Sequence, residues 1–373
     1  MRRTRLLLVL PDLDGGGAPR VALALLGAMD AARYDIALLN LGRRGAVLES
    51  QIPPTVQLLH RPRWLPGGLA GARLATLWQG RSRDLLIAGV EMRATFCVHA
   101  AARLLRKPAI AWVHIAFDEW ARGFGARHRR RSRAAYAAID DVVFVADGAR
   151  ASMRRWLGVD KPGWQVIPNL FRASAYPERP LSPAQQAVLG CMRLRPTVLG
   201  IGRLETRKGF DLLLTACARA NGADFDVVIL GEGGLREALH AEARSLGIAD
   251  RVSLPGYVDN PLPWLQAAAL YVMSSRLEGL PTTILEAFAC GTAVIATDCP
   301  SGPAEMLAGD AGLLVPVDDT GAIADAIGQL LQSPQRRAAL AENGRSALDR
   351  YRAEAVLPQW DAVIAQALTR RAR

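Results

Sequence analysis

Two glutamates, Glu278 and Glu286, stand eight residues apart in the segment SSRLEGLPTTILEAFACGT. Glu278 lies in a loop after the apolar run ALYVM (269–273), and Gly279, Leu280 and Pro281 then lead into a helical pattern whose first position suits Pro281. Glu286 falls about one and a half turns into that helix. Its neighbours there are apolar, and a carboxylate without a partner would be costly among them. Vicinal hydroxyls of a sugar or ribose would supply partners, since one carboxylate can accept from both. Unsatisfied amides at the helix start suit the phosphates of the same ligand. Helix capping is the competing explanation; it accounts for Glu278 and leaves Glu286 unexplained.

Cations for such a phosphate are available in GIGRLETRKGFDLLL (200–214), where Arg203 and Lys208 follow a strand ending at Gly202. Two cations beside a glycine turn can clamp a diphosphate. The chain has 43 arginines and three lysines (107, 161, 208), so a lysine at 208 runs against its own composition and suggests that a compact ammonium is wanted. A solvated loop is the alternative. Two glycine-rich turns follow strand-like runs, at Gly15, Gly16 and Gly17 and at Gly231, Gly233 and Gly234. Glycine lets backbone amides approach a ligand, yet neither turn completes the dinucleotide fingerprint, and each alone reads equally well as a tight turn. His114 closes the run AIAWVH. It could donate to a sugar hydroxyl or a main-chain carbonyl, although a lone strand-end histidine is more often structural.

The elements that must hold these residues are legible as short Val, Ile and Leu runs: 5–10, 34–41, 84–89, 109–114, 141–146, 197–202, 226–230, 251–254, 269–273, 292–297 and 311–316. Continuous apolar strands separated by helical patterns imply parallel sheets covered on both faces. Eleven such runs exceed one sheet of this type, so two doubly wound domains are predicted. The 373-residue length suits two domains of about 150–200 residues each. The boundary is placed in 172–197, which carries Pro177, Pro180, Pro183 and Pro196 and no clear strand. Near the end, Leu357, Trp360, Ile364 and Leu368 mark one apolar helix face.

Composition narrows the function. Half the residues are apolar, enough for two cores. The longest uncharged stretch, Pro261 to Ser275, falls short of the ~18 residues of a spanning helix. The opening MRRTRLLLVLPD has too brief an apolar run for a signal core and reads as a first buried strand of a cytoplasmic protein. Five scattered cysteines without a C-x-x-C pair read as free, mostly buried thiols rather than metal ligands or disulfides. The net charge of +11 is uneven: residues 1–175 hold 27 Lys and Arg against 13 Asp and Glu, and residues 176–373 hold 19 against 22. The basic half attracts phosphates of some kind, and its densest cluster has arginines at 122, 127, 129, 130, 131 and 133. A solvated helix face explains the cluster equally well.

In order along the chain, GGGAPRVALAL, WVH, VVFVADGAR, VIPNL, GRLETRKGFDLLL, VVILGEGGLREAL, GYVDNPLPWLQAAALYVMSSRLEGLPTTILEAFACGTAVIAT and SGPAEML are the motifs that carry a resemblance. Together they resemble glycosyltransferase family 4, retaining enzymes of the GT-B fold. The resemblance implies an α/β architecture of two Rossmann-like doubly wound domains facing a cleft. Residues 1–175 would form the acceptor-side domain, 176–196 a linker, and 197–352 the nucleotide-sugar domain. A C-terminal helix, 353–373, would cross back onto the first.

It also implies roles. Arg203 and Lys208 would neutralise the donor diphosphate without a metal or other cofactor, Glu286 would hold the ribose hydroxyls, and Glu278 would contact the donor sugar. Gly279, Leu280 and Pro281 would present amides, and Val258 would lie near the base. Gly16 and Gly17 would close on the donor, and His114 would sit under the sugar. VIPNL and CPSGPAEML depart from the commonest family pattern and resemble the subgroup that builds bacterial surface polysaccharides and lipid-linked glycans with UDP-sugars. The partners implied are a nucleotide-sugar donor, a glycan or lipid-linked acceptor, and an anionic membrane surface met by the basic half at the inner face of the cell membrane. Competing readings are a nucleotide-sugar epimerase or a phosphorylase-like enzyme of the same fold, a catalytically inactive scaffold, and a basic nucleic-acid-binding protein. The last lacks aromatic-rich basic stretches and any binding module, so no nucleic-acid partner is expected.

Overall fold

The computed structural model describes residues 2–173, 176, 179–220 and 224–370. The chain divides into two compact units, one of residues 1–172 with 351–373, the other of residues 173–350.

In the first unit, β1 (Thr4–Leu10), β2 (Tyr34–Asn40), β3 (Val56–His60), β4 (Leu85–Ala88), β5 (Ala109–Val113), β6 (Asp141–Phe144) and β7 (Trp164–Val166) form one sheet. Its order is β3-β2-β1-β4-β5-β6-β7, and all neighbours run parallel. Leu6 to Leu10 are at most 1% exposed, because β1 is central and covered on both faces. Leu7 and Val9 pack into one cluster with Ala72 and Ala75 of helix Gly68–Gly80 and with Cys97 and Val98 of helix Arg93–Leu105. Each fully buried leucine contributes about 1.5–3 kcal/mol.

Helix Ala353–Arg370 belongs to this unit. It buries Val356, Trp360, Val363, Ile364 and Ala367, while Leu357 and Leu368 are half-buried at the edge of that face. Trp360 meets Trp112 of β5 edge-on at 4.7 Å, and Asp361 accepts the Tyr34 hydroxyl at 2.7 Å.

In the second unit, β8 (Thr197–Ile201), β9 (Asp226–Leu230), β10 (Val252–Gly256), β11 (Leu270–Met273), β12 (Ala293–Thr297) and β13 (Leu313–Val315) form a parallel sheet of order β10-β9-β8-β11-β12-β13. All eleven apolar runs coincide with strands. β3 and β7 have no counterpart among those runs. β3 mixes Gln57 and His60 into its apolar residues and is only partly buried, and β7 is three residues long.

The expected linker 176–196 is corrected in part, because it contains helix Pro183–Met192. Ser182 accepts from the Gln185 amide while the Gln185 side chain accepts from Ser182, closing both ends of a capping box with proline in the first turn. Gln185 Nε2 then donates to the Tyr257 carbonyl at 3.1 Å, tying the segment to the second unit. Pro177 lies outside the described residues.

Each sheet has one point where strand addition reverses, between β1 and β4 and between β8 and β11. Open α/β sheets gather ligands beside such points, at the carboxyl ends of the strands. Among the described residues, no helix is long and apolar enough to cross a membrane.

Candidate functional site

In the second unit the loops after β8 and β11 flank the reversal point and carry most of the expected residues. After β8 a short turn, Thr206–Lys208, leads through Gly209 into helix Phe210–Arg219. Gly209 has φ +64°, and a Cβ there would stand 2.0 Å from the Ser274 carbonyl oxygen. Only glycine lets the two loops come this close. Ser274 Oγ donates to the Lys208 carbonyl at 3.1 Å, closing the contact.

Lys208 Nζ donates to Glu278 Oε1 at 2.6 Å, and Ser275 Oγ donates to the same oxygen at 2.7 Å. Arg207 completes the group, donating to the Leu277 carbonyl at 3.0 Å and pairing with Glu278 Oε2 at 3.5 Å. Burial alone would raise the Glu278 pKa, but the Lys208 and Arg207 charges and the Lys208 and Ser275 hydrogen bonds outweigh it and hold the carboxyl below its ordinary range.

Arg203 lies at the start of the same loop. Its side chain is 63% exposed and pairs with Glu205 at 3.2 Å. A second cation beside Lys208 is Arg207, which carries no local signal of its own in the sequence.

The second glycine turn has a structural reason. A Cβ on Gly231 would stand 1.8 Å from the Gly202 carbonyl oxygen, and one on Gly233 would stand 2.5 Å from that of Leu204. Both glycines admit the backbone of the cation-bearing loop, which Leu204 N ties to the Glu232 carbonyl at 2.9 Å.

Gly279, Leu280 and Pro281 lead into helix Thr282–Cys290, whose N-terminus has no side-chain cap. Ser301 Oγ donates to the Gly279 carbonyl at 2.9 Å, which fixes that loop from below. Glu286 is buried in this helix and accepts the Tyr176 hydroxyl. The partner that a buried carboxylate needs is thus a phenol of the chain itself. Tyr176 comes from the proline-rich segment, and nothing in the sequence connects the two. Val258 is buried just beyond β10, next to the exposed Tyr257.

In the first unit, Gly16 precedes helix Gly17–Ala28 with φ +96° and no side-chain cap. A Cβ there would meet nothing within 4 Å, so the backbone angle and not crowding calls for glycine. His114 follows β5. Its Nε2 lies 3.0 Å from the Gly89 carbonyl, and its backbone amide donates to Glu91 Oε1. A carbonyl only accepts, so Nε2 carries the proton and Nδ1 keeps its lone pair. That Nδ1 is buried without a partner among the described residues. Burial pushes His114 down to about 4, leaving it neutral at physiological pH, and pushes Glu91 up to about 7. Glu91 lies in no motif of the sequence.

Cys97, Cys217 and Cys299 are buried, Cys290 is half-buried and Cys191 is exposed; all five are free.

Two parallel sheets with phosphate-suited loops at their reversal points define a scaffold of the GT-B glycosyltransferase type. The structure superposes on Anabaena HepE in complex with UDP-glucose with a TM-score of 0.82 and 20% identity, covering 98% of this chain and 100% of that one. A sucrose-phosphate synthase from Thermosynechococcus elongatus superposes with the same TM-score, identity and coverage. The chain belongs to the family 4 glycosyltransferases: the Glycosyltransferase Family 4 model matches residues 15–172, and the model named Glycosyl transferases group 1 matches residues 188–347. It is 39% identical over 153 residues to the lipopolysaccharide core biosynthesis glycosyltransferase LpsE of Rhizobium meliloti, covering 41% of this chain and 44% of that protein. It is 34% identical over 143 residues to a Campylobacter jejuni N-acetylgalactosaminyltransferase named for a diphospho-undecaprenol acceptor, covering 38% of this chain and 39% of that one. The matched stretches thus span less than half the length of either relative.

Proposed function

We infer that this protein transfers a sugar from a nucleoside-diphosphate donor, a UDP-sugar, to a glycan or lipid-linked acceptor in bacterial surface-glycan assembly. The reaction retains anomeric configuration and uses no metal. The observation that carries this reading is the buried Lys208–Glu278 pair with Arg207, beside the uncapped start of helix Thr282–Cys290. Cations and helix amides aimed at one place suit a departing diphosphate. The UDP and UDP-glucose complexes of HepE favour uridine as the base.

In this mechanism the bond from the anomeric carbon to the phosphate oxygen breaks with its electron pair going to the diphosphate. The acceptor oxygen bonds to the same face of the sugar, and its proton passes to a phosphate oxygen. Lys208, Arg207 and Arg203, released from Glu205, hold the accumulating charge. Glu278 contacts the sugar, Glu286 and Tyr176 meet the ribose hydroxyls, and Val258 lies by the base. Gly279, Leu280 and Pro281 offer backbone to sugar and phosphate. Gly16, Gly17 and His114 are assigned to the sugar end of the donor. The bare Nδ1 of His114 makes it an acceptor from a sugar hydroxyl.

A thermal-shift panel of nucleotides and nucleotide sugars tests the reading. The fitting donor, at 100 times its Kd, stabilises by about 2.7 kcal/mol. A panel in which no nucleoside diphosphate or nucleotide sugar shifts the transition contradicts it.

An anionic membrane at the inner face of the cell is the proposed partner of the basic first unit. Exposed Trp64 and Trp78, 6.4 Å apart, favour this partner alongside helix Ala126–Ala137, because indoles suit the headgroup boundary. Arg131 stacks on Phe96 and Arg129 donates to the Phe124 carbonyl, so Arg127 and Arg130 are the arginines to reverse. Changing both to Glu lowers sedimentation with phosphatidylglycerol vesicles; undiminished binding refutes the membrane role.

A further inference from the structure

Arg276 lies between the two loops of the second unit, and its role is assigned by neither the family resemblance nor the relatives. Its guanidinium is a junction of three elements. Nη1 and Nη2 grip Asp211, in the first turn of helix Phe210–Arg219, at 2.9 and 2.6 Å. Nε donates to Asp318 Oδ1 at 2.7 Å, just beyond β13. Nη1 also donates to the Thr206 carbonyl at 2.8 Å, and the Arg276 amide donates to the Arg207 carbonyl at 2.8 Å. The last two bonds end on the backbone of the turn that carries Arg207 and Lys208. Asp318 itself has φ +61°, a costly angle for a residue with a side chain.

A planar guanidinium with donors on three sides can bond two carboxylates and a carbonyl at once; an ammonium cannot match that spacing. Cations that must meet a diphosphate need fixing within a fraction of an ångström, by partners outside the ligand.

We propose that Arg276 is a positioning residue that fixes the Thr206–Lys208 turn against the Glu278 loop, so that Arg207 and Lys208 are presented together to the diphosphate of the donor. The proposal rests on the glycosyltransferase reading. It makes Arg276 responsible for the preference of this protein for nucleoside diphosphates over monophosphates, without contacting either.

The test measures UDP and UMP affinities by calorimetry for the wild-type protein, Arg276→Ala and Arg276→Lys, with hydrogen exchange at the Lys208 and Gly209 amides on the same samples. In Arg276→Ala the UDP-to-UMP affinity ratio falls about tenfold, the scale of a single charge-assisted hydrogen bond. UMP affinity holds, and the two amides exchange faster. Arg276→Lys keeps the charge and the fold but restores the ratio only in part; it carries the test if Arg276→Ala melts below the assay temperature. A wild-type preference for UDP that both variants keep overturns the role of Arg276 and leaves the functional reading standing. A wild-type protein that shows no preference for UDP, GDP or ADP over the monophosphates overturns the reading, and the proposal with it.

Discussion

The strand ends of the two units solve the same problem with opposite electrostatics. After β11, Glu278 stays ionised because two cations and a hydroxyl surround it. After β5, His114 and Glu91 sit side by side with no counter-ion among the described residues, and burial drives each toward its neutral form. The overall charges run the other way: the first half of the chain carries the basic surplus and the second half is slightly acidic. Net charge therefore says little about a site. The surplus of the first unit lies on exposed arginines, whereas the cations suited to a phosphate are few, local and held by loops of the acidic half. A neutral strand end suits hydroxyls, and a charged one suits a diphosphate.

Three perturbations sharpen or break this contrast. The largest effect is expected from Glu278→Gln, which leaves Lys208 and Arg207 without their buried acid. Losing one partner of a buried pair costs about 3–5 kcal/mol, readable as a lowered denaturant midpoint. A loss under about 1 kcal/mol, the scale of a surface pair, would put the second site on the same footing as an exposed loop and erase the distinction.

Next comes the pH dependence of the first unit. The His114 pKa is lowered in the folded protein, so its neutral form contributes stability above pH 6.5 that is lost as pH falls toward 4. The Glu91 pKa is raised, so its contribution is complete below about 4.5 and is lost as pH rises through 7. The two slopes oppose each other between pH 4.5 and 6.5. Glu91→Gln removes its half, and stability then declines more steeply on acidification across that window. Unchanged steepness in a urea-unfolding series contradicts the neutral pair.

The smallest effect is expected at Glu286. Tyr176→Phe removes one buried hydrogen bond, worth about 1 kcal/mol, and weakens nucleotide binding about fivefold in calorimetry. No change in affinity would show that the hydroxyl serves only the fold.

How much of this was legible beforehand varies by element. Fully buried parallel strands announce themselves as apolar runs, so β1 through β13 were found apart from β3 and β7, which are partly buried or very short. Lys208 and Glu286 stood out because a scarce lysine and a carboxylate in an apolar helix are each locally unusual, and Glu278 drew notice through its spacing from Glu286. Arg207, Arg276, Glu91 and Tyr176 did not. Their significance lies in partners 70, 65, 23 and 110 residues away. No local pattern encodes such pairings. The second glycine turn was ambiguous for the related reason that a ligand and a neighbouring backbone demand the same missing Cβ.

In the proposed reaction the cations after β8 hold the departing diphosphate. The most direct test of this role is calorimetry of UDP and uridine on the wild-type protein and Lys208→Met. The variant is expected to bind UDP about 10-fold or more weaker, since it lacks one charged hydrogen bond of up to about 3 kcal/mol, while uridine binds equally well to both. Equal UDP affinity in the two proteins would contradict the role.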